Sequence, residues 1–228
     1  MLTQTELRTV PVNHSHASAV ARSAPVRGGI GAMETMGSQM KFCANTEIFG
    51  EGEPAEFVYK VVTGAVREYR ILNDGRRQIG GFHLPGDIFG LEIGKEHQFS
   101  AEAINGVTVL VVRRSAIISL AERDCQAARE LWALTSRELK RVQEHMLLLV
   151  KSAQQRVASF LLEMSKRLAA TDAIEIPMSR QDIADYLGLT IETVSRTMTQ
   201  LVSEQAIVLP SSRRIVLRNA GALRRMNA

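Results

Sequence analysis

The sequence predicts an α+β chain in four parts: a flexible N-terminal extension over 1–40, an antiparallel β-roll with a sensor-like layout over 41–114, a long helix suited to dimerisation over 115–151, and a winged helix-turn-helix over 152–228. Three observations carry this. Short runs with alternating apolar residues, punctuated by turn residues, fill the stretch from Phe42 to Val112. Apolar residues three and four apart then continue for some 35 residues. Finally, RQDIADYLGLTIETVSRTMT at 180–199 has the spacing of two short crossed helices.

Residues 1–38 mix Ser, His, Ala, Gly and Arg without a sustained apolar period, and GGIGAM at 28–33 reads as flexible. His14 and His16 are too isolated to hold a metal. The N-terminus lacks the basic, apolar, small-residue order of a secretory leader, and no apolar run reaches the roughly 18–20 residues that span a bilayer. A cytoplasmic protein with no membrane partner is expected.

The β-part rests on EFVYKVV (56–62), AVREYRIL (65–72), RQIGGFHL (77–84) and VTVLVVR (107–113). Asn73-Asp74-Gly75 and Pro85-Gly86-Asp87 supply turn chemistry between runs, which argues for antiparallel hairpins closed on themselves. Gly50-Glu51-Gly52-Glu53-Pro54-Ala55 superficially matches a dinucleotide-binding glycine pattern. A strand signal and Pro54 follow where that pattern needs a phosphate-cradling helix, so the match is rejected.

Over 115–151, Cys125, Ala128, Trp132, Thr135, Leu139, Val142, Met146 and Leu149 form one stripe along a helix. Leu131, Leu134, Leu147, Leu148 and Val150 occupy neighbouring faces. A helix with two apolar faces can pack against its own roll and against a second copy at once, the alternative being that both faces lie in one internal core. Cys43 and Cys125 have no Cys-x-x-Cys or Cys/His spacing around them, so neither a zinc nor an iron–sulfur site is supported, and each is expected to be a buried or partly buried thiol.

In the last part a helix is expected over 152–170 and a short strand over Glu175 to Pro177. Ser179 can cap the first helix of the crossed pair. Ile183, Ala184, Leu187, Leu189, Val194, Met198 and Leu201 supply the contacts between the two helices, and Gly188 sits where the turn needs a positive φ. Thr190 can cap the second helix, from about Ile191 to Val202, whose first turn carries Glu192, Ser195 and Arg196. In a major groove, Glu accepts from cytosine N4 and Arg makes a bidentate contact to guanine, each good contact discriminating by roughly 1–3 kcal/mol. The plain alternative is a Glu192–Arg196 surface pair contributing about 0.3–0.5 kcal/mol. AIVLPSSRRIVL at 206–217 adds a hairpin, the wing, with Arg213 and Arg214 placed for phosphates.

Charge placement agrees with this. The net +4 falls in residues 151–228, with 11 Lys/Arg against 7 Asp/Glu, whereas the first 150 residues balance. No nucleophile–base grouping, phosphate loop or metal-spaced His/Glu set points to an enzyme, and no cofactor is expected.

The order of parts, with Ile48-Phe49, Gly52, Tyr59, Val61, Gly64, Val66-Arg67, Asp74-Gly75-Arg76, Gln78-Ile79, Phe82, Pro85-Gly86-Asp87 and Phe89-Gly90, resembles the cyclic-AMP receptor protein/FNR superfamily of bacterial transcription regulators over about residues 42–220. The resemblance implies a cyclic-nucleotide-binding-like roll. Cyclic-nucleotide binders of the family place an Arg before a Ser or Thr to hold the cyclic phosphate; here Phe99 precedes Ser100, which disfavours a cyclic nucleotide. The FNR iron–sulfur cluster is contradicted by the lack of Cys in 1–40. What remains resembles the FixK branch, regulators that act without a small effector on microaerobic respiration or nitrogen-fixation genes.

By that resemblance Glu192, Ser195, Arg196 and Ile191 face bases of a palindrome near TTGAT-N4-ATCAA, and Ser179, Arg180, Thr190 and Thr193 contact phosphates. Double-stranded DNA, a second copy of the chain and RNA polymerase are the implied partners. A ligand-gated or haem-gated regulator, with His83, His97 or His145 as ligand, is the alternative.

Overall fold

The computed structural model describes residues 29–92, 94–169 and 173–227. After a 3-10 turn at Ile30–Ala32 and helix α1 (Met33–Met36) come β1 (Ser38–Phe42), β2 (Glu47–Phe49), β3 (Phe57–Thr63), β4 (Val66–Ile71), β5 (Arg77–His83), β6 (Ile88–Phe89), β7 (Ser100–Ala103) and β8 (Val107–Arg113). They form two antiparallel four-stranded sheets, ordered β1-β8-β3-β6 and β2-β7-β4-β5. Inward positions of both sheets meet in one core of Phe49, Tyr59, Val61, Val66, Phe89, Ala101, Ala103, Val107 and Val109. Gly64 makes the β3–β4 corner at φ +83°, where a Cβ would come within 2.5 Å of the Gly106 carbonyl oxygen. No L side chain fits there.

The expected single helix over 115–151 is two helices, α2 (Arg114–Arg123) and α3 (Cys125–Leu149). Asp124 divides them: it is extended, and its carboxylate accepts from the backbone N–H groups of Gln126 and Ala127, which starts a new helix. The same carboxylate accepts from Gly29 N at 3.0 Å. Residues 29–40, expected in the extension, are part of the fold, with Met33 buried beside Val58, Leu110, Val112, Ile117 and Leu134. The rest of the expected extension, including His14 and His16, lies outside the described residues.

Leu134 of α3 is buried and Leu131 partly buried against this core, while Leu148, two heptads after Leu134, is buried in the core shared with α4 and α5, so these residues form the inner face. Of the residues expected on the faces neighbouring the stripe, Leu147 and Val150 are exposed, Leu147 about a quarter-turn away from Leu148 and Val150 just past the end of the helix. Both cysteines are also exposed, contrary to expectation. Cys43 sits just after β1, in the turn to β2, and Cys125 in the first turn of α3, and neither position faces a core.

Next come α4 (Ala153–Arg167), with a Ser152/Gln155 capping box, and β9 (Ala173–Glu175). That strand precedes the expected Glu175–Pro177, because Ala173 to Glu175 pair with the wing while Pro177 has no N–H to give. The crossed pair is α5 (Arg180–Leu187) and α6 (Ile191–Ser203), followed by β10 (Ile207–Val208), β11 (Arg214–Leu217) and an unanticipated α7 (Ala220–Asn227). The wing sheet runs β10-β11-β9. Its core is continuous with the roll through Ala65, Ile79, Phe82, Leu84 and Ile104.

Candidate DNA-reading surface

Ser179 and Asp182 start α5 with reciprocal bonds: Asp182 N donates to Ser179 Oγ at 3.0 Å, and Ser179 N to Asp182 Oδ2 at 2.9 Å. Gly188 ends it in the left-handed region at φ +60°. Two residues on, Thr190 Oγ1 accepts from Thr193 N at 3.2 Å and opens α6. Val194, Thr197, Met198 and Leu201 turn inward against Ile183, Ala184 and Leu187. This inward stripe decides what α6 can present, because the remaining arc points to solvent.

That arc carries Thr190, Ile191, Glu192, Ser195 and Arg196, all exposed, with Thr193 half-buried among them. The four residues expected at bases are thus brought onto one face at the helix start. Glu192 and Arg196 form no ion pair within 4 Å. Instead, the Glu192 carboxyl is held below the usual carboxylate range by its own backbone N–H, then by the Thr190 hydroxyl and the charge of Arg196. It is ionised at neutral pH, and Arg196 reaches Thr193 Oγ1 at 3.5 Å.

The expected phosphate contacts divide. Arg213 and Arg214 are exposed in the wing, and Ser179 is half-buried at the start of α5. Arg180 is partly withdrawn: burial lowers its pKa, and its Nη1 is buried without a hydrogen-bond partner among the described residues.

Inside the roll, aromatic rings pack on one another. Phe49 stacks on His97 at 3.6 Å and lies 5.3 Å from Tyr59, Tyr59 lies 5.1 Å from Phe89, and His83 stacks on Phe89 at 4.8 Å. Phe99 packs on β5, where a Cβ at Gly80 would sit 3.0 Å from its ring. His97 Nδ1 lies 3.1 Å from Glu92 Oε1, and His83 Nε2 lies 2.9 Å from Glu68 Oε2. His145 stacks on Tyr186 at 4.2 Å, with its pKa lowered by burial. Among the described residues no three His, Cys, Asp or Glu side chains converge to hold a metal.

On α3, Trp132 is 76% exposed, Met146 64%, Leu139 60% and Val142 53%. Cys125 and Thr135 are exposed as well, while Ala128, one turn into the stripe, and Leu149, at its far end, are half-buried.

The sequence pattern of a Crp-like helix-turn-helix domain matches residues 155–226, and that of a cyclic nucleotide-binding domain matches residues 39–124. The chain is 51% identical to the nitrogen fixation regulation protein FixK of Azorhizobium caulinodans, over 85% of this chain and 80% of that protein. The chain belongs to the FixK branch of the CRP/FNR family. It is also 45% identical to FixK of Rhizobium meliloti, over 78% of this chain and 82% of that one. Among solved structures, FixK2 from Bradyrhizobium japonicum is similar with a TM-score of 0.81 and 52% identity, covering 84% of this chain and 98% of that one.

Sequence reasoning missed one group of residues at this surface. Asp182 and Asp185 of α5 are bound by arginines of β4 and β5, more than 100 positions earlier. Pairing at that separation leaves no local pattern.

Proposed function

We propose that this FixK-type regulator activates transcription by binding, as a homodimer and without a small-molecule effector, a palindrome near TTGAT-N4-ATCAA, and that it controls microaerobic respiration or nitrogen-fixation genes. The carrying observation is the outward face of α6, where an ionised Glu192 and an unpaired Arg196 stand one turn apart beside Ser195. Each TTGAT half-site has one G·C pair, and one Arg and one Glu can take its guanine and its cytosine. Ile191 flanks them against a base edge. Thr190, Thr193, Ser179, Arg213, Arg214 and the accessible part of Arg180 hold phosphates on either side.

The dimer is supported by the α3 stripe, since an apolar row with Trp132 and Met146 this exposed is costly to leave in water. Pairing it would set two recognition helices about one DNA turn apart. Independence from a cyclic nucleotide is supported by the rings packed inside the roll and by Phe99, which offers no charge to a phosphate. The exposed roll and wing surfaces would recruit RNA polymerase in the cytoplasm. No helix among the described residues is long and apolar enough to cross a membrane.

The test is binding of purified protein to a TTGAT-N4-ATCAA duplex and to a scrambled one, at fixed salt, in air, with and without cyclic AMP. Selective binding indifferent to the nucleotide is expected. Binding that requires an added ligand, or removal of oxygen, would return the roll to a sensing role.

A further inference from the structure

The roll grips the helix-turn-helix through charge. Asp182 is buried, and its two carboxylate oxygens have separate tasks. Oδ2 completes the α5 cap with Ser179. Oδ1 accepts from Arg67 Nη1 of β4 at 3.0 Å and from Arg77 Nη2 of β5 at 2.8 Å. Arg67 is anchored behind by Glu102 Oε1 of β7 at 2.7 Å, and Arg77 Nε reaches Asp185 Oδ2, one turn along α5, at 2.7 Å. A second grip lies at the Pro85-Gly86-Asp87 turn, where Asp87 takes Arg141 of α3 at 3.1 Å and Arg167 of α4 at 2.7 Å.

Exposed ion pairs fix little, but these are largely out of water: the side chains of Arg67 and Asp182 are 10% and 3% exposed. Desolvated arginine–carboxylate contacts are directional, whereas the apolar seam beside them is not. Because α5 and α6 pack as one unit across the Gly188 turn, fixing two carboxylates on α5 fixes the tilt of α6. The ion pairs of this grip engage α5 only; Ile191, Glu192, Ser195 and Arg196 take no part in them and stay exposed, with Ile191 and Glu192 lining a cleft shared with Arg76, Arg77 and Gln78 of the β4–β5 hairpin.

We propose that Arg67 and Arg77, with Asp182 and Asp185, are positioning residues: a latch of the chain's own charges that sets the orientation of the recognition helices, the task a bound effector would otherwise perform. This rests on the DNA-reading homodimer proposed above. A dimer whose reading heads are held rigidly should distinguish the spacing between half-sites, and loosening them should weaken the palindrome by the fraction of time both heads are aligned.

The experiment titrates the full-length chain, Arg77→Ala, Asp185→Asn and the conservative Arg77→Lys against palindromes with 4-bp and 6-bp spacers and against a single half-site, at fixed salt. Asp182 is left intact because it caps α5. Arg77→Ala and Asp185→Asn should each lose about ten-fold on the 4-bp palindrome, prefer the 4-bp spacer less, and keep half-site binding, while Arg77→Lys, which keeps a cation between the two carboxylates, should hold affinity and spacing preference closer to the unaltered chain than Arg77→Ala does. A simple charge effect would instead give opposite signs, since losing a carboxylate strengthens attraction to DNA and losing an arginine weakens it. Opposite signs, an unchanged spacing preference in both Arg77→Ala and Asp185→Asn, or equal loss on half-site and palindrome would overturn the latch. If the unaltered chain fails to separate the palindrome from scrambled DNA, the DNA-reading dimer itself falls, and the latch with it.

Discussion

Phe82 of β5 and Tyr186 of α5 meet with ring centroids 5.0 Å apart, joining the roll to the DNA-reading unit through aromatic packing. Both are buried, Phe160 of α4 closes the cluster 6.3 Å from Phe82, and Arg167 Nη2 donates to the Phe82 carbonyl at 2.6 Å. Phe82→Ala should therefore cost about 3–5 kcal/mol of stability, the range for emptying an aromatic site in a packed core. Urea unfolding reads this as a lower midpoint at unchanged slope. A loss below about 1 kcal/mol would mean that the seam does not pack this ring as a core does.

The fate of the sequence expectations follows from how local each signal is. The long strands β3, β4, β5 and β8 were legible because seven or six residues suffice to show alternation between turn residues. The two- to four-residue strands β2, β6 and β7 are too short to show a period and form only because the sheet supplies partners. The α2–α3 break was hidden by apolar spacing that runs through it, although Asp124 followed by a helical pattern is a start signal. Asn219 likewise announces α7, accepting from Ala222 N at 2.8 Å. The reading helix was legible throughout because caps, turn glycine and apolar spacing all lie within about 20 residues. The charges that hold it to the roll were not, since Arg67 and Asp182 are 115 positions apart.

Arg196 is exposed, unpaired with Glu192 and one turn inside α6. Arg196→Ala should cost roughly 1–3 kcal/mol on the palindrome and little on random DNA, because a base contact carries sequence information while phosphate contacts supply most non-specific affinity. Competition titrations at one salt concentration measure both. An equal loss on random DNA would place Arg196 at a phosphate.

Val142 is 53% exposed in the middle of the α3 stripe, with Leu139 and Met146 one turn away on either side. Val142→Glu should leave the folded chain intact, as the residue touches no core, yet bring a charge into the apolar row proposed to pair with a second copy. Sedimentation should find monomers. A dimer of unchanged strength would remove this stripe from the interface.

His83 gives the chain a pH dependence whose sign can be worked out. It is fully buried, which by itself lowers an imidazole's pKa, but Glu68, Asp87 and Glu138 around it outweigh burial and raise it above the usual histidine range. A group with a raised folded pKa holds more protons folded than unfolded between the two values. Its contribution to stability is therefore complete below the unfolded pKa of about 6.5 and is lost as pH rises through the higher folded value. Asp87 works in the opposite direction. Burial raises its pKa, but the Leu84 N–H, Arg167 and Arg141 lower it further, so its contribution fades only in acid, below the ordinary carboxylate range. Unfolding free energy should thus fall from about pH 6.5 upward, and His83→Gln, which cannot titrate, should flatten that limb while leaving the acid limb in place. Chemical denaturation at intervals across that span measures the slope. If the unaltered protein and the variant lose stability in parallel, the imidazole is neutral in the fold and Glu68 does not hold its proton.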